Sequence, residues 1–249
     1  MGPRSEPPDS PGDAGRDRAP GVEAIAEWLR DTGPGEIPAR LCNVAVSLLP
    51  VTGAGVTLHT DGLPVRLGAS DAQAAYLEDV EATLGEGPGH AALEAGEAVL
   101  ACDLATGTDA RRWPVFAQKA TAAGIRAMYS MPLGNETVCV GTLDLYRDTP
   151  GRLSDRDLHT ARLMARVVTV ALLIMPWGDD DGRDEVRWPA GLAREQDEVY
   201  QATGMVMAQL GVSAEEALAR LRGHAFARDR TVVDVARDVV EHRVRFDHE

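Results

Sequence analysis

Apolar residues recur at two different periods along this chain, and the switch between them predicts its elements. Ile37, Leu41, Val44, Ala45 and Leu48 are spaced for one face of a helix. The stretch "AGVTLHTDGLPVRLGAS" then holds two short runs around Asp61-Gly62, a hairpin signal. "DAQAAYLEDVEATL" returns to helical spacing, and "EAVLACDL" reads as a strand ending in a loop. "WPVFAQKATAAG" predicts a helix stopped by Gly124. "IRAMYSMPLGNETVCVGTLDLYR" predicts two long strands around a turn at Gly134-Asn135. Ser154 with Asp157 forms a near capping box for a helix that carries Leu158, Ala161, Ala165, Val168 and Leu172. Helices flanking a hairpin-rich antiparallel sheet define an α+β domain.

The last part of the chain keeps the helical period alone. Val199, Ala202, Thr203, Val206 and Leu210 mark one face, and Gly211 supplies a stop. Ser213 with Glu216 is a capping box for a second helix bearing Ala217, Leu221 and Ala225. Thr231 with Asp234 opens a third, with Val232, Val235, Ala236, Val239, Val240 and Val244 on one face. An all-α three-helix domain follows. One oddity stands inside its first helix, "YQATGMVMAQLG": Thr203 and Gly204 are poor helix formers, and Gly costs about 1 kcal/mol against Ala. A glycine there predicts a point of close approach for a neighbouring helix or a partner's backbone.

Pro, Gly and Asp punctuate the rest. Residues 1–20 have almost nothing to bury and read as a disordered tail. "PWGDDDGRDEVRWPAG" reads as an acidic Pro/Gly linker, with Pro176, Gly178 and Pro189 breaking any continuous helix. The expected layout is a tail (1–20), a larger domain (21–175), a linker (176–190) and a helical domain (191–247). The net charge of -14 argues against broad attraction to nucleic acid or anionic membrane, so any such contact needs a local patch. Three cysteines without CxxC spacing suit a reducing compartment and give no structural zinc site. No apolar run reaches a membrane span, and the first residues carry no signal-peptide pattern, so a cytoplasmic protein is expected.

The stretch "QATGMVMAQLGVSAEEALARLRGHAFARDRTVVDVARDVVEHRVRF" resembles an ANTAR domain. The family's pattern of Ala, Gly and Met, then a Ser-led helix, then Val-Ala is met by Ala202, Gly204, Met207, Ser213, Ala217, Leu221, Val235 and Ala236. The family's usual Lys after the Ala is Thr203 here. The stretches "LGEGPGHAALEAGEAVL", "RRWPVFAQKATAAGIRAMYSMPL" and "GTLDLYRDTPGRLSDRDL" resemble a GAF domain of the kind that precedes ANTAR in actinobacterial regulators. In that subgroup a Cys commonly follows Gly-Glu-Gly-Pro; here the position is Gly89, and a thiol role is lost. The resemblance implies a cytoplasmic regulator whose GAF domain receives a signal. The signal is a small molecule, a redox change or a protein partner. The resemblance implies that the ANTAR domain then binds a structured leader RNA and causes transcription antitermination. It also implies a homodimer, for which the amphipathic helices at 22–30 and 154–175 offer faces. A helical tail that only dimerises or docks a protein is the alternative.

Candidate contacts follow from side-chain chemistry. Residues 218–245 carry seven Arg against four acids, so the helical domain is locally basic. Arg220, Arg222, Arg230 and Arg237 are candidates for phosphate, and Gln201, Thr203, Gly204 and His224 for the RNA surface. Glu215 and Glu216, at the N-terminal end of the second helix, oppose a helix-turn-helix reading of DNA. A phosphoacceptor domain is disfavoured because Lys119, the single lysine, falls inside a helix pattern. Trp113, Phe116, Tyr129, Met131 and Tyr146 are candidates for a ligand pocket roofed by a 101–116 loop, with core packing as the competing reading. Cys102 is a further pocket candidate, its thiol dulled by Asp103 and Glu97. Cys42 and Cys139 read as core. His59 and His90 lie far apart in sequence without metal-ligand spacing, and no metal, cofactor or catalytic motif is expected.

Overall fold

Each strand of the larger domain owes its place to alternation. The computed structural model of the chain describes residues 33–60, 63–135, 138–174 and 190–247. The expected tail, the helix at 22–30, the Asp61-Gly62 turn and the linker prolines lie outside the described residues. A short 3-10 turn, Pro34–Glu36, leads into α1 (Ile37–Leu48), where Pro38 sits in the first turn and needs no N–H partner. Strands β1 (Gly53–Thr60) and β2 (Leu63–Ala69) follow. Then come α2 (Ala72–Leu84) and α3 (Pro88–Ala95). Asp71 caps α2 by accepting from the N–H groups of Gln73 and Ala74, and Gly85, at φ 66°, ends it. Next are β3 (Val99–Ala101), α4 (Gly107–Arg112), α5 (Pro114–Ala122), β4 (Ala127–Gly134), β5 (Cys139–Arg147) and α6 (Asp155–Ile174).

The strands make one antiparallel sheet in the order β2-β1-β5-β4-β3. Register sorts its side chains into two faces. Val56, Leu143 and Met131 lie opposite one another across three strands, as do Leu145 and Tyr129 across two. This apolar face meets α1 and α6. The other face carries the row Gly55, Asp144, Ser130 and the row Thr57, Thr142, Pro132, beneath α2 and α3. The expected strand in "EAVLACDL" contracts to the three paired residues Val99–Ala101. The expected 101–116 loop contains α4 and the start of α5.

The helical domain forms α7 (Ala190–Leu210), α8 (Ala214–Ala227) and α9 (Val232–Val240). Val199, Ala202, Val206, Leu210, Ala217, Leu221, Ala225, Val232, Val235, Ala236 and Val239 form one core. Both expected caps are in place. Ser213 Oγ accepts from Glu216 N–H at 3.2 Å, and Thr231 Oγ1 from Asp234 N–H at 3.1 Å. The third helix ends sooner than its valine periodicity implies. His242 takes φ 59°, and Val244 packs on the core from beyond the helix. Both domains fall within a single unit, Thr32–Glu249. Replacing Ser213 by Ala leaves the Glu216 N–H without its cap and costs about 1 kcal/mol, measurable by urea denaturation of the full chain.

Candidate functional site

The polar face of the sheet is covered by acid. Glu78 and Glu81 stand on the inner side of α2, and Asp144 projects from β5; all three are buried. Glu78 accepts hydrogen bonds from the hydroxyls of Thr57 and of Tyr146, the latter at 2.7 Å. Glu81 accepts from the Gly89 N–H at 3.0 Å, and Asp144 from the Thr142 hydroxyl at 2.6 Å. The second oxygen of Asp144, Oδ1, has no partner, nor has Ser130 Oγ beside it in the same sheet row. Glycines, Gly87 beside Glu81 among them, make the room. A Cβ on Gly55 would overlap Glu78, and one on Gly89 would lie 2.5 Å from Glu81 Oε2 and 3.2 Å from each Asp144 oxygen. A cysteine at position 89 is therefore incompatible with this arrangement of carboxyls. A cavity of about 10 Å³ opens between Thr57, Glu78, Glu81, Gly89 and Thr142, with His59 and His90 at its rim.

Burial without a countercharge makes these carboxyls hold their protons to higher pH than usual. Glu78 is pushed up to about 8 by burial and by Asp144, against the hydrogen bonds from Thr57 and Tyr146. Burial pushes Asp144 up to about 6, against the nearby hydroxyls of Ser130 and then Thr142. Glu81 is driven well above the usual carboxylate range by burial and then by its two acidic neighbours. The fold also joins two histidines that the sequence leaves far apart: the rings of His59 and His90 meet edge to face at 5.6 Å. Burial, then His90 and then Arg222, lower His59 to about 4.

The aromatic candidates do not share a pocket. Trp113, Phe116 and Tyr146 belong to one packed cluster between α2, α5 and the sheet. Tyr129 and Met131 are one residue out of phase with that face, so they point to its other side. Tyr129 is fully buried there, and its hydroxyl donates to the Gly151 carbonyl at 2.7 Å. Met131 borders a different cleft, beside Ala165 and Thr169 of α6. Cys102 is half-buried, with its thiol raised by burial and by Asp109, while Arg152 opposes. The acid beside it is thus Asp109, which also accepts the Cys102 N–H, rather than Asp103 or Glu97. Cys42 is buried, and Cys139 only half so.

The RNA candidates also divide. Gln201, Gly204 and Arg220 are exposed, Arg220 pairing with Glu216 at 3.2 Å on the surface of its own helix. Thr203 is buried in the three-helix core, where its hydroxyl donates to the Val199 carbonyl at 2.7 Å. It presents nothing to a phosphate in this arrangement. No atom lies within 4 Å of the Cβ that Gly204 lacks, so no neighbouring helix requires that glycine. Arg237 pairs with Glu198 at 3.1 Å and Arg230 with Asp238 at 2.5 Å. His224 is half-buried, its ring 5.0 Å from that of Phe246.

Arg222 serves the contact between the domains. Its Nε donates to the Ala82 carbonyl at 3.0 Å, in the last turn of α2. That carbonyl is one a helix end leaves without an internal partner. In return Thr83 Oγ1 accepts the Val232 N–H at 3.0 Å, an orphan donor at the start of α9. Lys119 on α5 meets Asp229 at 2.5 Å. The end of one helix and the start of another thus complete each other across the two domains.

A five-stranded antiparallel sheet between helices, closed over a polar chamber and joined to a capped three-helix bundle, defines a two-domain architecture. The GAF domain model matches residues 35–172, and the ANTAR domain model residues 193–240. The chain belongs to the GAF domain family and carries an ANTAR domain after its GAF domain. No curated protein matches it. Solved structures similar to it include the GAF domain region of a Geobacter sulfurreducens PCA membrane protein. Identity there is 16%, with 61% of this chain and 99% of that one covered, at a TM-score of 0.47. A domain of a Sinorhizobium meliloti 1021 two-component sensor histidine kinase protein is similar at 18% identity, covering 56% and 90%, at 0.46. The free methionine-R-sulfoxide reductase of Neisseria meningitidis, solved with its substrate, is similar at 16%, covering 61% and 85%, at 0.45. Among the described residues no helix is long and apolar enough to cross a membrane.

The acid cluster was missed in sequence because each member looks ordinary. Glu78 and Glu81 sit in an amphipathic helix pattern where acids usually face solvent. The available signal was "TLDLY", whose Thr142, Asp144 and Tyr146 alternate with two leucines on a central strand. Unfolded carboxyls titrate near about 4, so the folded chain holds extra protons between that value and the raised ones. Rising pH therefore destabilises it. Lowered His59 acts in the opposite sense below about pH 6.5, so the fall in stability runs from about pH 6.5 to pH 8, by up to about 1.4 kcal/mol per pH unit for each proton, and Glu78→Gln flattens that slope in urea titrations at several pH values.

Proposed function

We propose that this chain is a cytoplasmic GAF-ANTAR regulator of the actinobacterial type, causing transcription antitermination through a structured leader RNA. The observation that carries the reading is the ANTAR match over residues 193–240. The proposed layout is a tail (1–20), a GAF domain (21–175), a linker (176–190) and an ANTAR domain (191–247). Gln201, Gly204 and Arg220 supply the RNA surface open in this arrangement. No residue is assigned to catalysis. A homodimer forms through α6, where Val170 and Leu173 are 56% and 76% exposed. The GAF domain acts on the ANTAR domain by holding it. Buried hydrogen bonds of the kind made by Arg222 and Thr83 contribute about 1 kcal/mol each, small enough for a signal to shift the balance. Release frees Arg222 for phosphate.

The second reading, a helical tail that docks protein without RNA, is favoured by the same contact, since Arg222, Arg230 and Arg237 all bond within the protein. Salt separates the two. Phosphate contacts weaken steeply with ionic strength, whereas an apolar helix face does not. RNA captured from lysate by the full chain is expected to contain paired hairpin loops. Arg220→Glu lowers the yield several-fold, and Thr83→Val raises it by loosening the hold on α9. Recovery of the same RNA by wild type and Arg220→Glu, without hairpins, overturns the RNA reading in favour of the second.

A further inference from the structure

The chamber beneath α2 has the chemistry of a ligand site that is short of donors. Glu78 and Glu81 of one helix line its cavity, and Asp144 of a central strand lies beside it behind Gly89; each is buried. Asp144 Oδ1 is unpartnered, and both Asp144 oxygens lie 3.2 Å from the Cβ position of Gly89, a residue that lines the cavity. The groups facing the three acids are neutral or remote. Thr57 and His59 come from β1, Ser130 from β4, Thr142 and Tyr146 from β5, and His90 from α3, while Cys42 of α1 lies across the sheet. Arg66 on β2 pairs with Asp79 at 3.1 Å and acts on Glu78 only as a distant charge. Arg222 stands outside, at the Ala82 carbonyl and near the two histidines.

What fits such a space is a small cation made only of donors. An –NH3+ group has three N–H donors and no acceptor. The cavity of about 10 Å³ is close to what a single water-sized group occupies. A planar guanidinium is too large, and a quaternary ammonium offers no N–H. We propose that the chamber of Glu78, Glu81 and Asp144 binds a primary ammonium group, either the ammonium ion or the head of a small amine entering past His59 and His90. The proposal rests on the GAF domain being the sensing half of the chain. It deepens that reading, because Glu78 and Glu81 share α2 with Ala82 and Thr83, which hold the ANTAR domain. An occupant that draws on those two acids pulls on the same helix turn that Arg222 and Val232 engage.

Binding displaces protons from the carboxyls, because the charged head favours their ionised form. Affinity therefore rises with pH, by about tenfold per unit for each proton released between pH 6 and pH 8, while an amine of lysine-like pKa stays charged. The test needs no RNA, so it stands or falls apart from RNA recognition. The full chain is titrated calorimetrically with ammonium chloride and methylammonium chloride. Tetramethylammonium chloride and sodium chloride at equal ionic strength serve as comparisons. One-to-one binding of ammonium, methylammonium or both, absent for the other two salts and tighter at pH 8 than at pH 6, is expected. If only ammonium binds, the ion is the ligand; if methylammonium binds, an amine head is accepted. Asp144→Asn, close to isosteric, is expected to weaken binding at least tenfold, and Glu81→Gln serves if the first variant does not fold. Equal responses to all four salts, no binding at either pH, or unchanged binding in a folded variant overturns the proposal.

Discussion

Three carboxyl groups buried without a cation among their hydrogen-bond partners are the constraint around which the GAF domain is arranged. Burying charge of one sign is costly, so the acids hold their protons to higher pH than usual and are given hydroxyl and amide donors. The rest follows locally. Gly55 and Gly89 must lack side chains, because a Cβ at either would collide with a carboxyl. Thr57, Thr142 and Tyr146 must alternate with apolar residues so that donors face inward on one side of the sheet only. Helix α2 must lie flat on that face, and its C-terminal turn is thereby placed where the ANTAR domain meets it.

The same helix therefore has two loyalties. Its inner side is tied to the sheet through Glu78 and Glu81, and its last turn is tied to the helical domain through Ala82 and Thr83. Neither tie uses an apolar contact alone. Hydrogen bonds at helix ends are directional, so a small rotation of α2 weakens them more than it weakens packing. This gives the two domains a hold that is specific in geometry and modest in strength.

Much of this chain was legible in sequence where one local rule decides the outcome. Ser213, Thr231 and Ser154 announce helix starts, and each accepts or shares the expected hydrogen bond. The core of the helical domain follows its apolar period almost residue by residue. Legibility fails where distant segments meet. Tyr129 and Tyr146 look equivalent as strand aromatics, yet register sends them to opposite faces. Arg222 looks like its neighbour Arg220, yet two positions carry it to the other side of the helix and to a carbonyl 140 positions away in the chain. Thr203 reads as a substituted cation in the family pattern, while its structural role is that of a small core residue bonded to its own helix.

Lys119 carries a consequence of its own. It is the single lysine in a chain whose other basic side chains are arginines, and it lies on the line between the two domains, 2.5 Å from Asp229. Exposed ion pairs of this kind add little stability, at most about 1 kcal/mol. As chemistry, though, the position is singular: this side chain alone in the protein offers an ε-amine to an acylating reagent. Composition has thus put one addressable handle at the joint, where its reactivity reads out whether the two halves are together or apart.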